Sequence, residues 1–145
     1  MSKDKPSNFR KRFDIIGCFI DYEGKFLLLH RHPYKTNGSM WGLPAGKKEH
    51  DENLKQGVSR EVAEETGLVL TEPSVTYFDS LYVSDGSFDI EWHIFSTRLT
   101  ELPLISISPS EHSAYRWVSP DEALGMPLIH DLPESIKLFY ERSGM

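Results

Sequence analysis

The chain has 145 residues, a formal net charge of −6 and one cysteine, Cys18. This length favours a single domain, and one cysteine excludes an internal disulfide framework and a four-thiolate zinc site, which fits a reducing compartment. No apolar run approaches the roughly 18 residues that span a membrane, and residues 1–12 lack the apolar segment of a signal peptide. We therefore expect a soluble, cytoplasmic protein without a membrane partner, and its acidity argues against a nucleic-acid polymer as partner.

The N-terminal part predicts a basic arm followed by a buried hairpin. Residues 1–12 are polar and carry five bases, so we expect a flexible arm and a single domain over 13–145. Residues 13–20 and 26–29 are almost continuously apolar, which predicts two strands buried on both faces. Polar turn formers over 33–39 predict a surface loop of the kind that often contacts a ligand.

The middle of the chain predicts one helix after an irregular segment. Glycine and proline make residues 41–46 a shaped turn or a short strand. Residues 53–66 contain good helix formers and no proline, and Gly67 is placed for a C-cap. Gly57 costs this helix about 1 kcal/mol against alanine, so we attribute it to close packing on the sheet.

A second hairpin is predicted from two alternating runs. Residues 75–83 and 90–99 flank the turn formers at 85–86. A loop is expected over 103–110 and a short strand over 115–118. One face of the first run carries Val75, Tyr77, Leu81 and Val83.

The C-terminal part predicts two capped helices. Residues 119–122 form a capping box with proline at the first helical position, and Gly125 ends that helix. Residues 131–134 open a second helix in the same way. The order of elements predicts an α/β or α+β domain with a mixed sheet and helices packed on it. The core-facing stripe of the last helix comprises Leu132, Ile136, Phe139 and Tyr140.

Three acids of the central helix fall on the same face as its apolar residues. Glu61, Glu64 and Glu65 lie within a sector of about 100° that overlaps the apolar stripe. The pair Glu61 and Glu65, at i and i+4, destabilises the helix by about 0.2–0.5 kcal/mol, and acids in its C-terminal half oppose the helix dipole. The apolar stripe comprises Leu54, Val58 and Val62.

The charge of this cluster needs a counterpart. Arg60 can reach Glu64 at i+4, which leaves Glu61 and Glu65 unmatched on the helix. Sites built only from carboxylate oxygens suit Mg²⁺ or Mn²⁺, so a bound divalent cation is one explanation. A solvated acidic face, tolerated because the side chains are long, is the other explanation that the helix alone leaves open.

The spacing around these acids matches a known motif. After Gly46, five residues precede Glu52, and seven more precede a continuous segment that starts at Arg60. This pattern resembles the Nudix box, G-x5-E-x7-R-E-U-x-E-E-x-G-U with U aliphatic, at every specified position. The resemblance implies an α/β/α sandwich that hydrolyses a nucleoside diphosphate linked to another group. The continuous segment is Arg60-Glu61-Val62-Ala63-Glu64-Glu65-Thr66-Gly67-Leu68.

The resemblance also implies a role for each residue of the box. Glu61, Glu64 and Glu65 would hold Mg²⁺, or Mn²⁺, together with the backbone carbonyl of Ala45. Glu64 and Glu65 would take part in catalysis, because the cation that they hold would activate the attacking water. The supporting residues are Arg60, which would orient the acids, Glu52, which would tie the loop to the helix, and Gly46 and Gly67, which would allow the turns.

Some candidates lie outside the box. A general base is often invoked in such proteins, and our candidate is Glu111, on the loop before the last predicted strand; a plain exposed loop glutamate is the alternative. Arg31, at the end of a buried strand, is a candidate phosphate contact. Weaker general-base candidates are Asp85, Asp89, Glu91 and Glu101. Structural or core roles are favoured for His30, His32, Trp41 and Trp92.

The expected activity is Mg-dependent hydrolysis of a pyrophosphate bond by attack of a metal-activated water on phosphorus. A MutT-like nucleoside triphosphate pyrophosphohydrolase suits the small size of the chain. The alternatives are a nucleotide-sugar, ADP-ribose or dinucleoside polyphosphate pyrophosphatase, and a non-catalytic nucleotide-binding module of the same fold. The expected partner is a small nucleotide, and a homodimer is an open option.

Overall fold

The computed structural model describes residues 3–84 and 89–143, so the predicted turn at 85–86 lies outside the described residues. A short 3-10 helix at Glu72–Ser74 supplements the regular elements. The strands are β1 (Lys11–Tyr22), β2 (Lys25–Arg31), β3 (Trp41–Gly42), β4 (Ala45–Lys47), β5 (Thr76–Ser84), β6 (Asp89–Leu99) and β7 (His112–Val118). The helices are α1 (Leu54–Thr66), α2 (Pro120–Leu124) and α3 (Leu132–Ser143).

The strands form one mixed sheet, as predicted, with the path β3-β2-β1-β6-β5. β1 and β6 are parallel, and the other strand pairs are antiparallel. β1 and β2 pair only at their closed end, where Asp21 faces Phe26 and Tyr22 faces Lys25. Beyond this point the two strands diverge, and β4 pairs with β1 while β3 pairs with β2. β7 pairs with the opposite edge of β2. The predicted first hairpin therefore opens to admit β4.

Both faces of the sheet are covered by helices. Ile16 and Cys18 of β1 are fully buried in a core that includes Val58 of α1. Phe19 points to the opposite face, where its ring stacks on Phe139 of α3 with 4.4 Å between the centroids. Alternate residues of one continuously apolar strand thus serve two cores. The expected α/β/α sandwich is confirmed.

The prediction that residues 75–83 present one apolar face is wrong. Tyr77 packs edge-on against Phe95, which belongs to the core on the α1 side. Leu81 instead belongs to the core beneath α3. The register of β5 against β6 shifts between Tyr77 and Asp79. A bulge inserts one unpaired residue, so every side chain beyond it points to the other face of the sheet.

The two C-terminal helices begin differently. At α2, the Ser119 hydroxyl accepts a hydrogen bond from the Glu122 amide at 3.1 Å and the Glu122 carboxylate accepts one from the Ser119 amide at 3.0 Å, so the predicted capping box is confirmed. At α3, Asp131 has a φ of 73°, so it lacks the extended backbone that a capping box uses.

No helix among the described residues is long and apolar enough to cross a membrane. The predicted stripe of α3 is buried at Leu132, Ile136, Phe139 and Tyr140.

Two glycines let other elements approach β1 closely. A Cβ on Gly57 of α1 would lie 2.5 Å from Cδ1 of Ile16, which confirms the predicted packing of this glycine on the sheet. A Cβ on Gly17 of β1 would lie 2.3 Å from the ring of Trp92. The Trp92 indole N–H donates to the Ser135 hydroxyl at 2.9 Å, and this bond holds the ring over Gly17.

Replacement of Gly17 by alanine should destabilise the protein. The new methyl group would overlap the Trp92 ring, and overpacking of a core costs about 1–3 kcal/mol. The free energy of unfolding, measured with urea, should fall by that amount. As the control, Gly125→Ala should raise it by about 0.4–1 kcal/mol, because Gly125 has a φ of −94° and its new Cβ would only reach ordinary contact at 3.6 Å. Equal effects of the two substitutions would contradict the packing argument.

Candidate active site

The ends of α1 are fixed by two different caps. The Asn53 side chain accepts a hydrogen bond from the Gln56 amide, and the Gln56 side chain accepts one from the Asn53 amide. At the other end Gly67 adopts a φ of 80° and its amide bonds to the carbonyl of Ala63, so glycine is required there for its left-handed backbone. Because both ends are fixed, the helix presents the same face to the sheet along its whole length.

The helix turns Glu61 towards β4. The whole residue is 9% exposed, and its carboxyl group lies directly over Gly46. A Cβ on Gly46 would lie 2.2 Å from Cδ of Glu61, so only glycine leaves room for this carboxyl group. The expectation that Gly46 serves a turn is therefore wrong, since what the site needs from this glycine is the space above it.

Arg60 connects the acids of the helix to the preceding loop. Its guanidinium donates to Glu52 at 2.7 and 3.0 Å, to Glu61 at 2.9 Å and to Glu64 at 3.1 Å. The expectation that Arg60 leaves Glu61 unmatched is therefore wrong, because its planar group contacts several carboxylates at once. Glu52 also accepts a hydrogen bond from the Glu49 amide at 2.8 Å, which links the loop to the helix.

Glu65 is the acid with the least compensation. Its carboxyl group accepts a hydrogen bond from the Ala45 amide at 3.1 Å and lies against the carboxyl group of Glu61. Burial and the neighbouring Glu61 raise the pKa of Glu65 to about 9, and the Ala45 amide and the charge of Arg31 oppose this shift. Glu64 differs, because 58% of its side chain is exposed.

The donor set of this cluster fits a hard divalent cation. The carboxyl groups of Glu61 and Glu65 are in contact, while Glu64 is turned to Arg60 and to solvent, so the three acids do not converge on one point in this structure. Their donor atoms are carboxylate oxygens, which are the ligand type of Mg²⁺ and Mn²⁺. The space over Gly46 is reserved for the Glu61 carboxyl group. If Glu61 and Glu65 were both ionised, their contact would place two like charges together, and a bound cation would relieve that repulsion. The residues present therefore fit the cation that the motif implies.

A second group with metal-ligand chemistry lies where β1 and β6 begin. Ligand atoms of Asp14, Glu91 and His93 lie within 4.8 Å of one another. The ammonium group of Lys11 is 3.1 Å from a carboxylate oxygen of both Asp14 and Glu91, and Nε2 of His93 is 2.7 Å from Asp14. Because the lysine already supplies a cation, we interpret this group as a structural network.

Of the other weaker base candidates, Asp89 accepts a hydrogen bond from the Arg10 amide at 2.6 Å and Asp85 lies outside the described residues.

Arg31 and Glu111 come together at the ends of β2 and β7. Arg31 faces His112 in the ladder, and its guanidinium donates to the carbonyl of Thr36 at 2.7 Å. Glu111 precedes His112 and lies 3.4 Å from the ammonium of Lys35. Burial and the charge of Arg31 lower the pKa of His112 to about 4. Sequence reasoning missed His112, because only strand pairing places it beside Arg31.

The side chains for which structural roles were predicted have protein partners. His30 Nδ1 is 2.9 Å from the Ser113 hydroxyl, and the His30 ring packs on Trp41 with 4.6 Å between centroids. His32 Nε2 is 2.6 Å from the carbonyl of Pro109. These contacts support the structural interpretation of both histidines.

An apolar pocket of about 250 Å³ lies on the other side of β4 from the acids. Ala45 belongs to both regions, because its side chain lines the pocket and its amide binds Glu65. The sequence does not predict the pocket, because one of its walls comes from a distant loop. The Trp41 amide donates to the carbonyl of Pro127, and the Ile129 amide donates to the carbonyl of Trp41, both at 2.9 Å. The polar lining of the pocket comprises Asn37, His130 and Asp131, and its apolar lining includes Ile15, Leu43, Val83, Ile90, Trp92, Ile129 and Leu132.

The acidic face of α1 and the apolar pocket thus lie on the two sides of β4. The family model described as the NUDIX domain matches residues 10–142 of the chain. The chain therefore belongs to the NUDIX family, and it is a hydrolase of the pyrophosphohydrolase class.

Individual relatives agree with this assignment. The chain is 29% identical over 120 residues to CTP pyrophosphohydrolase of Escherichia coli strain K12, which covers 81% of this chain and 84% of the relative. It is also 29% identical over 110 residues to phosphatase NudJ of the same strain, covering 75% and 69% of the two chains. The crystal structure of a MutT protein from Methanosarcina mazei Go1 superposes with a TM-score of 0.81 at 29% identity, over 94% of this chain and 98% of the other.

The stability of the metal-free protein should depend on Glu65 through pH. Between the ordinary glutamate pKa of 4.5 and about 9, the folded protein retains a proton that the unfolded chain has lost, so stability should fall as pH rises. Glu61→Gln removes one cause of the raised pKa of Glu65. Between pH 5 and pH 8, the stability of this variant should therefore fall less than the stability of the wild type. Thermal unfolding in EDTA measures the stability of the wild type and of Glu61→Gln at each pH.

The control for this experiment is Glu64→Gln, which removes an exposed carboxylate from the same helix. Its stability curve should follow the pH dependence of the wild type. Parallel curves for Glu61→Gln and wild type would show that Glu61 does not govern the protonation of Glu65.

Proposed function

We propose that the protein is a Mg²⁺-dependent pyrophosphohydrolase that cleaves a nucleoside triphosphate or another nucleoside diphosphate derivative, in the manner of MutT-like enzymes. The observation that carries this proposal is the shared position of Ala45, whose two sides meet the acid cluster and the apolar pocket. A ligand with an aromatic ring in the pocket would extend its phosphates past Ala45 to Glu61, Glu64 and Glu65. A nucleotide has this shape and chemistry.

Each residue of the site then has a defined task. Glu61, Glu64 and Glu65 would hold the cation, and the carbonyl of Ala45 would complete the ligands supplied by the chain. The bound cation supplies charge neutralisation of the phosphates and a lower pKa for the attacking water. Arg60 fixes the orientation of Glu61 and Glu64 through its hydrogen bonds. Arg31 lies close enough to lower the pKa of Glu65 by its charge, so it would oppose the negative charge of a phosphate.

Glu111 is our proposed general base. It lies beside the Arg31 end of β2, at the side of the site that faces the loop over 33–39, and 43% of its side chain is exposed. Its ion pair with Lys35 is long, at 3.4 Å, and exposed pairs of this kind contribute about 0–1 kcal/mol. The carboxylate would therefore be released at little cost to accept a proton from water.

Two relatives indicate the substrate class. One is named for hydrolysis of CTP and the other as a phosphatase, which favours a nucleoside triphosphate over a nucleotide sugar. A non-catalytic nucleotide-binding module is the weaker candidate, because every acid of the box is present. A panel of nucleotides assayed with Mg²⁺ separates the two, since a binding module would bind one of them and release no phosphorus product.

Substitution of Glu65 by glutamine should remove most of the activity. Glutamine keeps the size of the side chain and loses the negative charge, so kcat/KM should fall by about 10²–10³-fold. Released pyrophosphate or phosphate is the readout, and EDTA should abolish release by the wild type. Glu141→Gln, at an exposed position of α3, is the control and should leave turnover unchanged. Turnover by Glu65→Gln at the wild-type rate would exclude the proposed site.

Substitution of Glu111 by glutamine tests the general base. A lost general base lowers the rate by about 10²–10⁴-fold, so kcat/KM of Glu111→Gln should fall by that factor. Glu141→Gln, at the exposed position of α3 used above, should leave kcat/KM unchanged. A loss smaller than about threefold in Glu111→Gln would leave Glu111 as an ordinary surface glutamate.

A further inference from the structure

A buried histidine beside Arg31 has a ring nitrogen without a partner. His112 begins β7 and is only 5% exposed. Among the described residues, no group forms a hydrogen bond with its Nδ1. The main chain of His112 is fixed, because its amide donates to the carbonyl of Ser108 at 3.0 Å. A buried polar atom without a partner opposes folding, so its presence in a native structure calls for an explanation.

Strand pairing places the His112 ring next to the side chain of Arg31. The two residues are directly opposite each other in the antiparallel ladder of β2 and β7. Residues in this relation point to the same face, with Cβ atoms about 4.5–5.5 Å apart. The positive charge of Arg31 acts both on His112 and on Glu65. The guanidinium group is therefore close to the acid cluster and to the His112 ring.

The Arg31 guanidinium has donors to spare. Within residues 3–84 and 89–143, its one hydrogen bond runs from Nε to the carbonyl of Thr36, at 2.7 Å. The Arg31 main chain is fixed by bonds to Met40 and Ser39, both at 3.0 Å. A guanidinium has five N–H donors, and a phosphate takes two of them in a bidentate pair. Donors therefore remain for a second acceptor that would hold the group in place.

The His112 ring suits this task because it is neutral. Burial and the charge of Arg31 lower the pKa of His112 to about 4, so the ring carries no charge at neutral pH. A neutral imidazole has one nitrogen that donates and one that accepts. Beside a guanidinium, the tautomer with an unprotonated Nδ1 is favoured, because a lone pair is attracted to a positive group that carries N–H donors. A charged imidazolium would repel Arg31 instead.

We propose that His112 is a positioning residue for Arg31. In the complex with substrate, Nδ1 of His112 accepts a hydrogen bond from the Arg31 guanidinium, while other N–H groups of Arg31 contact a phosphate. The guanidinium is then held by Thr36 and His112 together, so it cannot turn away from the phosphate without losing a bond. The inference rests on the proposed function, since it takes Arg31 as a contact of the substrate phosphates.

The test measures kcat and KM of two His112 variants with the nucleotide that the wild type hydrolyses fastest. His112→Leu removes the acceptor, and KM should rise by about tenfold. The value of kcat should change by less than about twofold, because the contact that is weakened is made to a phosphate charge already present in the ground state. His112→Asn places an amide oxygen near the position of Nδ1, so its KM should return to within about threefold of the wild-type value.

A double-mutant cycle separates positioning from packing. In an Arg31→Gln background, His112→Leu should raise KM by less than about twofold, because the group that His112 supports is absent. If His112→Leu does not fold, His112→Phe keeps an aromatic ring and takes its place in the cycle. Equal effects of His112→Leu with and without Arg31, equal KM values of His112→Leu and His112→Asn, or a loss confined to kcat would overturn the assignment.

Thr97→Val is the matched control. Thr97 of β6 is a second buried residue whose side-chain oxygen has no partner in the part of the chain that the structure describes. It pairs with Ile20 of β1 rather than with Arg31. Its substitution should leave KM unchanged in both backgrounds, and an effect equal to that of His112→Leu would show that any buried polar change produces the result.

Binding of inorganic triphosphate separates this inference from the proposed function. Its dissociation constant, measured by calorimetry with Ca²⁺ as the cation, should rise by about tenfold in His112→Leu and not in the Arg31→Gln background. No turnover of any nucleotide, with this pattern of binding, would refute the proposed hydrolysis and support the role of His112. Turnover with KM and triphosphate binding unchanged in His112→Leu would refute only the role of His112. Neither turnover nor binding would refute both.

Discussion

The constraint on which the structure depends is the burial of two adjacent carboxyl groups, Glu61 and Glu65, between α1 and β4. The Arg60 guanidinium bonds to Glu61, the Ala45 amide bonds to Glu65, and Gly46 leaves the space that the Glu61 carboxyl group occupies. These contacts compensate only part of the charge that two ionised groups would carry, as the raised pKa of Glu65 indicates. A cation bound at this contact would compensate the remaining charge.

The short strand β4 separates the two halves of the site. It lies beside β1 because β1 and β2 diverge after the turn that joins them, which leaves an open edge for residues 45–47. Side chains alternate across a strand, so Gly46 faces the acids and Ala45 faces the pocket. A strand of three residues therefore places the acids of α1 on one face of the sheet and the apolar pocket on the other, within one residue of each other.

The sequence predicts what local patterns encode, and it misses what strand pairing assembles. The C-cap of α1, the inward position of Glu61 and the stripe of α3 follow from helical periodicity and cap residues, and the structure has all of them. The bulge after Tyr77 has no such signal, because it exists only as a mismatch with β6. His112 and Asp131 were missed for a related reason, since each reaches the site through pairing with a distant segment or through a main-chain bond to Trp41.

Backbone strain is concentrated around the same pocket. Four non-glycine residues in the described part of the chain have a positive φ, and two of them, Asn37 and Asp131, line the pocket, while a third, Ser39, lies two residues after Asn37. Each such conformation costs about 1–3 kcal/mol unless the surroundings impose it. Here they do, because the Ser39 amide bonds to the carbonyl of Arg31 at 3.0 Å and Ser135 bonds to Asp131. These bonds tie the residues of unusual backbone conformation to β2 at Arg31 and to α3 at Ser135, so the sheet and the helix together fix the two sides of the pocket.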